Sequence, residues 1–351
     1  MRVAIVAPPF IPVPPTNYGG TELFIAQLAV GLKKRGINVV LYATGDSTLP
    51  VETRSFFPKS EWPIKGEIGD SLRDIQHNAW AMADARSQAD LVHLNGAPGV
   101  AMTKFLSQPV VYTIHHPLET PLSAYYRAHP WINYVCISEF QCRQQALPNS
   151  RAIHHGIELE RYRLQENKKD YLCFLGRIAP VKGPHIAIEV AQKSGIPLKI
   201  AGQVQPIFKN YYESQVKPYI DGKFIEYVGE ADLAAKNELL GGARAMLFPI
   251  QWHEPFGLVM LESMACGTPV LALPGGSVPE IVKDGVSGKI CRDADEMAAA
   301  AKSLHFAPGI IRKYVKKHFS VSRMVESYVA LYDQVLSARG GADSPSERVV
   351  A

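Results

Sequence analysis

Short apolar runs separated by helix-length amphipathic stretches recur along this chain in two series, and that alternation constrains the fold more than any other feature. In the first series VAIVA (3–7), NVVLYA (38–43), ADLVHLN (89–95), PVVYTIHH (109–116), YVCIS (134–138) and RAIHHG (151–156) read as strands, with an amphipathic helix over about Thr21–Arg35 between the first two. Continuous apolar strands joined through helices predict a parallel sheet covered on both faces. The pattern restarts after the polar stretch LERYRLQENKKD (159–170). YLCFLGR, PLKIAG, FIEYVG, RAMLFP and PVLAL are strands of a second series, and GPHIAIEVAQKSG and GLVMLESMACG are helices between them. The expectation is an α/β chain of two doubly wound domains, 1–158 and 170–320, joined by a linker over 159–169. A C-terminal helix over 321–338 is expected to pack back on the first domain, ahead of a disordered tail over 339–351. Residues 46–80 read as irregular. Ligands of such folds bind outside the carboxyl ends of the strands, so a cleft between the two sheets is the expected site.

Composition narrows the function. A chain of 351 residues exceeds one core, and 47% hydrophobic with 20% charged residues describes an ordinary globular protein. A net charge of +4 is too mild for a nucleic-acid partner. The one basic cluster, Arg312, Lys313, Lys316, Lys317 and His318, reads as a solvated helix face before it reads as a patch for an acidic membrane. Cys136, Cys142, Cys173, Cys266 and Cys291 show neither metal nor redox spacing, which predicts reduced thiols in a cytoplasmic protein. No apolar run approaches the length needed to span a bilayer, which leaves peripheral contact with the inner membrane face as the furthest membrane role.

Three stretches carry chemistry. TNYGGTELF (16–24) follows the first strand and opens a helix. Gly19 and Gly20 there allow main-chain amides to approach an anion, although paired glycines equally make ordinary tight turns. The three spaced glycines of a dinucleotide fingerprint are missing from the sequence, which argues against a nicotinamide dehydrogenase. FLGRIAPVKG (174–183) places Arg177 and Lys182 just before a helix, and two cations there suit a departing diphosphate. In HEPFGLVMLES (253–263), Phe256, Gly257 and Leu258 begin a helix whose amides can face the same diphosphate. Glu254 can accept hydrogen bonds from sugar hydroxyls, and Glu262, on nearly the same helix face, from those of a ribose. The competing reading of Glu262 is a buried structural carboxylate, which also needs a partner.

Together these stretches resemble the family-4 group of retaining glycosyltransferases with the GT-B fold, over residues 1 to about 335. GIELERY (156–162) and GTPVLALPGGSVPEIVKDGVSG (267–288) share that resemblance. It implies that Arg177 and Lys182 bind the donor diphosphate, Glu254 the transferred sugar and Glu262 the ribose, with Gly19 and Gly20 approaching the donor from the other domain. It also places a catalytic histidine in YTIHHP (112–117), where register favours His115 over His116. Ser138 and Glu139 are expected to cap a helix, Glu280 to organise the GSVPEI loop, and YVGEAD (227–232) to lie near the base. Asp293 and Asp295 form the one Asp-x-Asp and read as a capping pattern, so neither a metal nor another cofactor is expected.

The expected reaction moves a hexosyl unit from a nucleotide-diphosphate sugar, a UDP-sugar before a GDP-sugar, to an acceptor hydroxyl with retained anomeric configuration. Rival readings are a glycoside phosphorylase or nucleotide-sugar epimerase on the same fold, or a non-catalytic nucleotide-binding protein. The acceptor class, carbohydrate, lipid-linked or small molecule, is left open. Phe56, Phe57, Trp62 and Trp80 are candidates to stack on it, with core packing as the alternative use.

Overall fold

The structure is a computed structural model that describes residues 1–16 and 19–342. The chain divides into two compact units, residues 1–156 with the C-terminal segment from Val321, and Ile157–Ser320.

The first unit carries strands β1 (Arg2–Val6), β2 (Asn38–Tyr42), β3 (Glu52–Arg54), β4 (Leu91–Leu94), β5 (Val110–Ile114), β6 (Asn133–Cys136) and β7 (Ser150–Ala152). They form one parallel sheet in the order β3-β2-β1-β4-β5-β6-β7. β1 and β4 are neighbours although the chain winds outward from β1 first to one side and then to the other. That reversal opens a crevice at their carboxyl ends. One face of the sheet is covered by the Gly20–Lys34 helix through Phe24, Leu28 and Leu32, together with Met324, Val325, Tyr328 and Tyr332 of the last helix. Gly31 lets these helices touch: a Cβ there would lie 2.4 Å from a methyl of Val325. The other face is covered by Ala81, Met82 and Ala85 of the Ile68–Gln88 helix and by Tyr126.

The second unit repeats the plan with β8 (Leu172–Leu175), β9 (Leu198–Ala201), β10 (Ile225–Gly229), β11 (Ala245–Phe248), β12 (Val270–Ala272) and β13 (Gly288–Ile290). Their order is β10-β9-β8-β11-β12-β13, all parallel, so the reversal falls between β8 and β11. The α/β expectation of two doubly wound parallel sheets holds.

Three expectations are corrected. Residues 159–169 are part of the second unit and not a free linker: Leu159 and Tyr162 are buried, and the Gln165 amide donates to the Cys266 carbonyl. Apolar anchors inside that polar stretch fix it. The last helix runs to Ala342, four residues into the segment expected as a disordered tail, and 343–351 lie outside the described residues. Within 46–80, read as irregular, lie the first 13 residues of the 21-residue Ile68–Gln88 helix. No described helix is long and apolar enough to cross a membrane.

Candidate active site

The second unit gathers the expected donor residues at the carboxyl ends of β8 and β11. β8 ends at Leu175, and Arg177 follows two residues later, half-buried and without an ion-pair partner among the described residues. The chain then makes one tight turn, Pro180–Lys182, and enters the Pro184–Ser194 helix through Gly183 at φ 73°. Gly183 is required there, because a Cβ would sit 2.1 Å from the Pro249 carbonyl oxygen. The same close approach lets the Gln251 amide donate to Val181 O at 2.8 Å, fastening the Lys182 turn to the segment leaving β11.

That fastening brings Lys182 Nζ to 2.5 Å from Glu254 Oε2. The Trp252 indole Nε1 donates to the same oxygen at 2.9 Å, and Lys182 Nζ stands 4.6 Å from the centre of the Trp252 ring. Glu254 is 7% exposed, so its charge is held by a lysine and an indole and not by bulk water. After Glu254, Gly257 at φ 85° is the cap and the helix proper runs Leu258–Ala265. Phe256 and Gly257 therefore precede the helix and do not begin it, as the sequence reading had them. The first amides of the helix, at Leu258 and Val259, lack intrahelical acceptors by construction and face an incoming anion favourably.

Glu262 sits in that helix, 6% exposed. Its Oε1 accepts from Tyr162 Oη at 2.9 Å and from Lys236 Nζ at 3.0 Å. Its Oε2 is buried without a hydrogen-bond partner. One oxygen of this carboxylate is thus committed to structure, and the other is buried beside it.

In the first unit Gly19 adopts φ 148°, and a Cβ would press on Pro15 and on Glu22 Oε2 at 2.8 and 2.9 Å. Gly20 starts the helix and has open space where a Cβ would point. Asn17 and Tyr18 of that loop lie outside the described residues. His115 follows β5 at the carboxyl end of the sheet. Its Nε2 lies 2.9 Å from Asn95 Oδ1, and its ring stacks on His155 at 5.7 Å and 8° and packs on Phe24 at 5.0 Å. Burial, reinforced by His155, His93 and His116, holds its pKa well below the usual histidine range, so the ring is neutral at pH 7. His116 instead bonds Tyr126 Oη at 2.6 Å and Pro117 O at 2.7 Å, and both of its nitrogens are engaged.

Two family profiles match this chain one after the other: Glycosyltransferase Family 4 over residues 18–161 and Glycosyl transferases group 1 over 157–307. The chain belongs to this glycosyltransferase family. A D-inositol 3-phosphate glycosyltransferase of Mycolicibacterium paratuberculosis is 27% identical over 368 residues, spanning 88% of this chain and 82% of its own. Among solved structures AviGT4, a glycosyltransferase involved in avilamycin A biosynthesis, aligns at TM-score 0.72 and 24% identity over 96% of this chain and 98% of its own. Anabaena Alr3699/HepE in complex with UDP and glucose aligns at TM-score 0.73 and 17% identity, over 95% and 100%. The shared fold is GT-B.

Several secondary expectations for this glycosyltransferase can now be placed. Ser138 caps the Glu139–Gln145 helix, its Oγ accepting from Gln141 N at 3.1 Å. Asp293 caps the Ala294–Lys302 helix and Asp295 pairs with Lys193 at 2.6 Å, so each carboxylate has its own partner. All five cysteines are free thiols. Arg312 of the basic cluster binds the carbonyls of Tyr162, Ala265 and Leu159, a structural use. Phe57 lies under the Arg73 guanidinium and Trp80 packs edge-on against Tyr42, whereas Phe56 and Trp62 are exposed. Asp232 caps the Leu233–Gly242 helix. Trp252, Tyr162, Lys236, Asn95 and His155 escaped the sequence reading, because each matters only through a partner the sequence does not point to. Ser277 did too: its amide and hydroxyl bond Glu254 O and Phe256 O at 2.9 and 2.7 Å.

Proposed function

We infer that this glycosyltransferase moves a hexosyl unit from a nucleotide-diphosphate sugar to an acceptor hydroxyl, with retention at the anomeric carbon. The observation that carries the reading is the Lys182–Glu254 pair beside the start of the Leu258–Ala265 helix, with Arg177 on the neighbouring strand exit. Arg177, Lys182 and the amides at Gly257 and Leu258 bind the diphosphate. Glu254 binds hydroxyls of the transferred sugar, and Glu262 a ribose hydroxyl. Gly19, Gly20 and His115 are the further candidates that the family resemblance assigns to the substrate.

As the bond from the anomeric carbon to the phosphate oxygen breaks, negative charge accumulates on the diphosphate. Two cations and helix amides stabilise that charge more in the transition state than in the ground state. The acceptor oxygen forms its bond on the face the diphosphate leaves, and its proton passes to the departing phosphate oxygen. The products are a nucleoside diphosphate and the glycoside. Glu254 positions the sugar and forms no covalent bond to it. With the leaving-group charge met by side chains and amides, a divalent ion is not required, and EDTA is expected to leave turnover unchanged.

UDP is the first nucleotide to test, since the Anabaena neighbour holds UDP with glucose. Thermal shift with UDP, GDP and ADP identifies the nucleotide, because a ligand of the folded state raises the melting temperature. Release of that nucleotide from its hexose conjugates, with and without candidate acceptors, then measures transfer. Lys182→Ala and Glu254→Gln should each lower turnover at least about 100-fold. Near-normal turnover in both variants rejects the site.

A further inference from the structure

Asn95 follows β4 directly at the carboxyl end of the first sheet and is 5% exposed. Its two side-chain atoms face different partners: Nδ2 donates to Val6 O at 3.2 Å, and Oδ1 lies 2.9 Å from His115 Nε2. Val6 offers only a carbonyl, so the amide cannot be turned around without placing two acceptors against each other. Oδ1 must therefore meet a donor, and the one available is an N–H at Nε2 of His115. The proton of the neutral ring is fixed at Nε2, and Nδ1 keeps its lone pair. No described residue hydrogen-bonds to Nδ1. Phe24 and His155 hold the ring plane by packing on it.

We propose that Asn95 is a positioning residue that locks His115 in the Nε2–H tautomer, so that Nδ1 is the ring's acceptor for a substrate hydroxyl. The part played by the substrate rests on the transfer reading above, whereas the tautomer does not. Neutrality of the ring fits the arrangement. The titratable groups around it are His155, His93 and His116, none of which is a carboxylate that would favour an imidazolium.

Nitrogen-15 spectra of the histidine side chains test the tautomer in the wild-type protein without substrate. His115, assigned by loss of its signals in His115→Gln, should show a protonated Nε2 and an unprotonated Nδ1 at pH 7. A protonated Nδ1 overturns the proposal. Asn95→Asp supplies a second arm. A carboxylate beside Nε2 favours the doubly protonated ring, which has no acceptor at Nδ1. The variant's kcat/KM should fall about tenfold between pH 8 and pH 6, while the wild-type ratio changes less than about twofold over that range. An Asn95→Asp profile parallel to the wild type also overturns the proposal. If Asn95→Asp does not fold, the wild-type spectrum still decides. If the wild-type protein transfers from no donor, the transfer reading falls while the tautomer stands or falls on its own spectrum.

Discussion

Glu22 lies in the first turn of the Gly20–Lys34 helix, 5% exposed, with its own main-chain amide as its hydrogen-bond partner. Burial pushes its pKa up to about 7, which that bond only partly offsets. The folded value lies above the unfolded one. The stability linked to this group is therefore whole below about pH 4.5 and is lost as the pH rises through 7. Glu22→Gln removes the penalty, worth up to about 3 kcal/mol above pH 7. The variant should melt several degrees higher than wild type at pH 8 and no higher at pH 4, as read by calorimetry. An equal difference at both values would refute the assignment. At this scale the site was partly legible. Arg177, Lys182, Glu254 and Glu262 stand in motifs that the family resemblance brings together, and the structure pairs Lys182 with Glu254. Their supports do not, since Tyr162 reaches Glu262 across 100 positions of sequence and Lys236 across 26.

At the scale of elements, the buried parallel strands were readable because they are apolar on both faces. The edge strands β3 and β13 were not, being three residues each and largely half-exposed. The Ile68–Gln88 helix is hidden in the sequence for a different reason. It buries His77, Asn78, Ala81, Met82 and Ala85 while leaving Ile68, Leu72 and Ile75 exposed, so its apolar positions do not mark the face that packs. The loop after β12 shows how an element holds a site it does not itself form. Gly276, at φ 60°, passes so close to the Glu254 segment that a Cβ would lie 2.1 Å from Glu254 O and 2.5 Å from Glu254 N. Gly276→Ala must displace that segment and with it the carboxylate on Lys182. The expected result is a fall in kcat of at least about tenfold, since misplacement of about 1 Å in a positioning group is costly. Gly285→Ala, at a glycine with φ 71° but open space around it, carries the backbone strain without the clash and serves as the control. If both variants lose activity equally, the close approach is not what matters.

At the scale of the whole molecule, the two units share a plan but differ in how they meet acid. His77, His93 and His155 of the first unit are buried, and burial depresses them to about 4, 3 and 3; His115 is depressed in the same direction. His93 is pinned between Tyr332 and Thr113, at 2.6 and 2.8 Å, so its environment is dry and fixed. A histidine whose folded value lies below its unfolded one contributes stability above about pH 6.5, lost progressively as the pH falls toward the folded value. At pH 5 each of the three with a defined value should therefore cost about 2 kcal/mol relative to neutral pH. Glu22, at about 7, and Asp74, raised by burial to about 6, work the other way and together return about 3 kcal/mol over the same range. The histidines win before His115 is included. In the second unit His185 is half-exposed and lowered by burial, and the lowered carboxyls of Glu296 and Asp221 lose their contribution below about pH 4.5. The first unit should therefore open first on acidification. Hydrogen exchange at pH 5, compared with pH 7.5 after correction for intrinsic rates, should show protection lost in β1, β4 and β5 while β8, β9 and β11 keep theirs. Loss of protection in the second unit ahead of the first would show that the buried histidines do not govern acid stability. His93→Gln, which removes one of those protonation sites, should narrow the gap between the two pH values within the first unit alone.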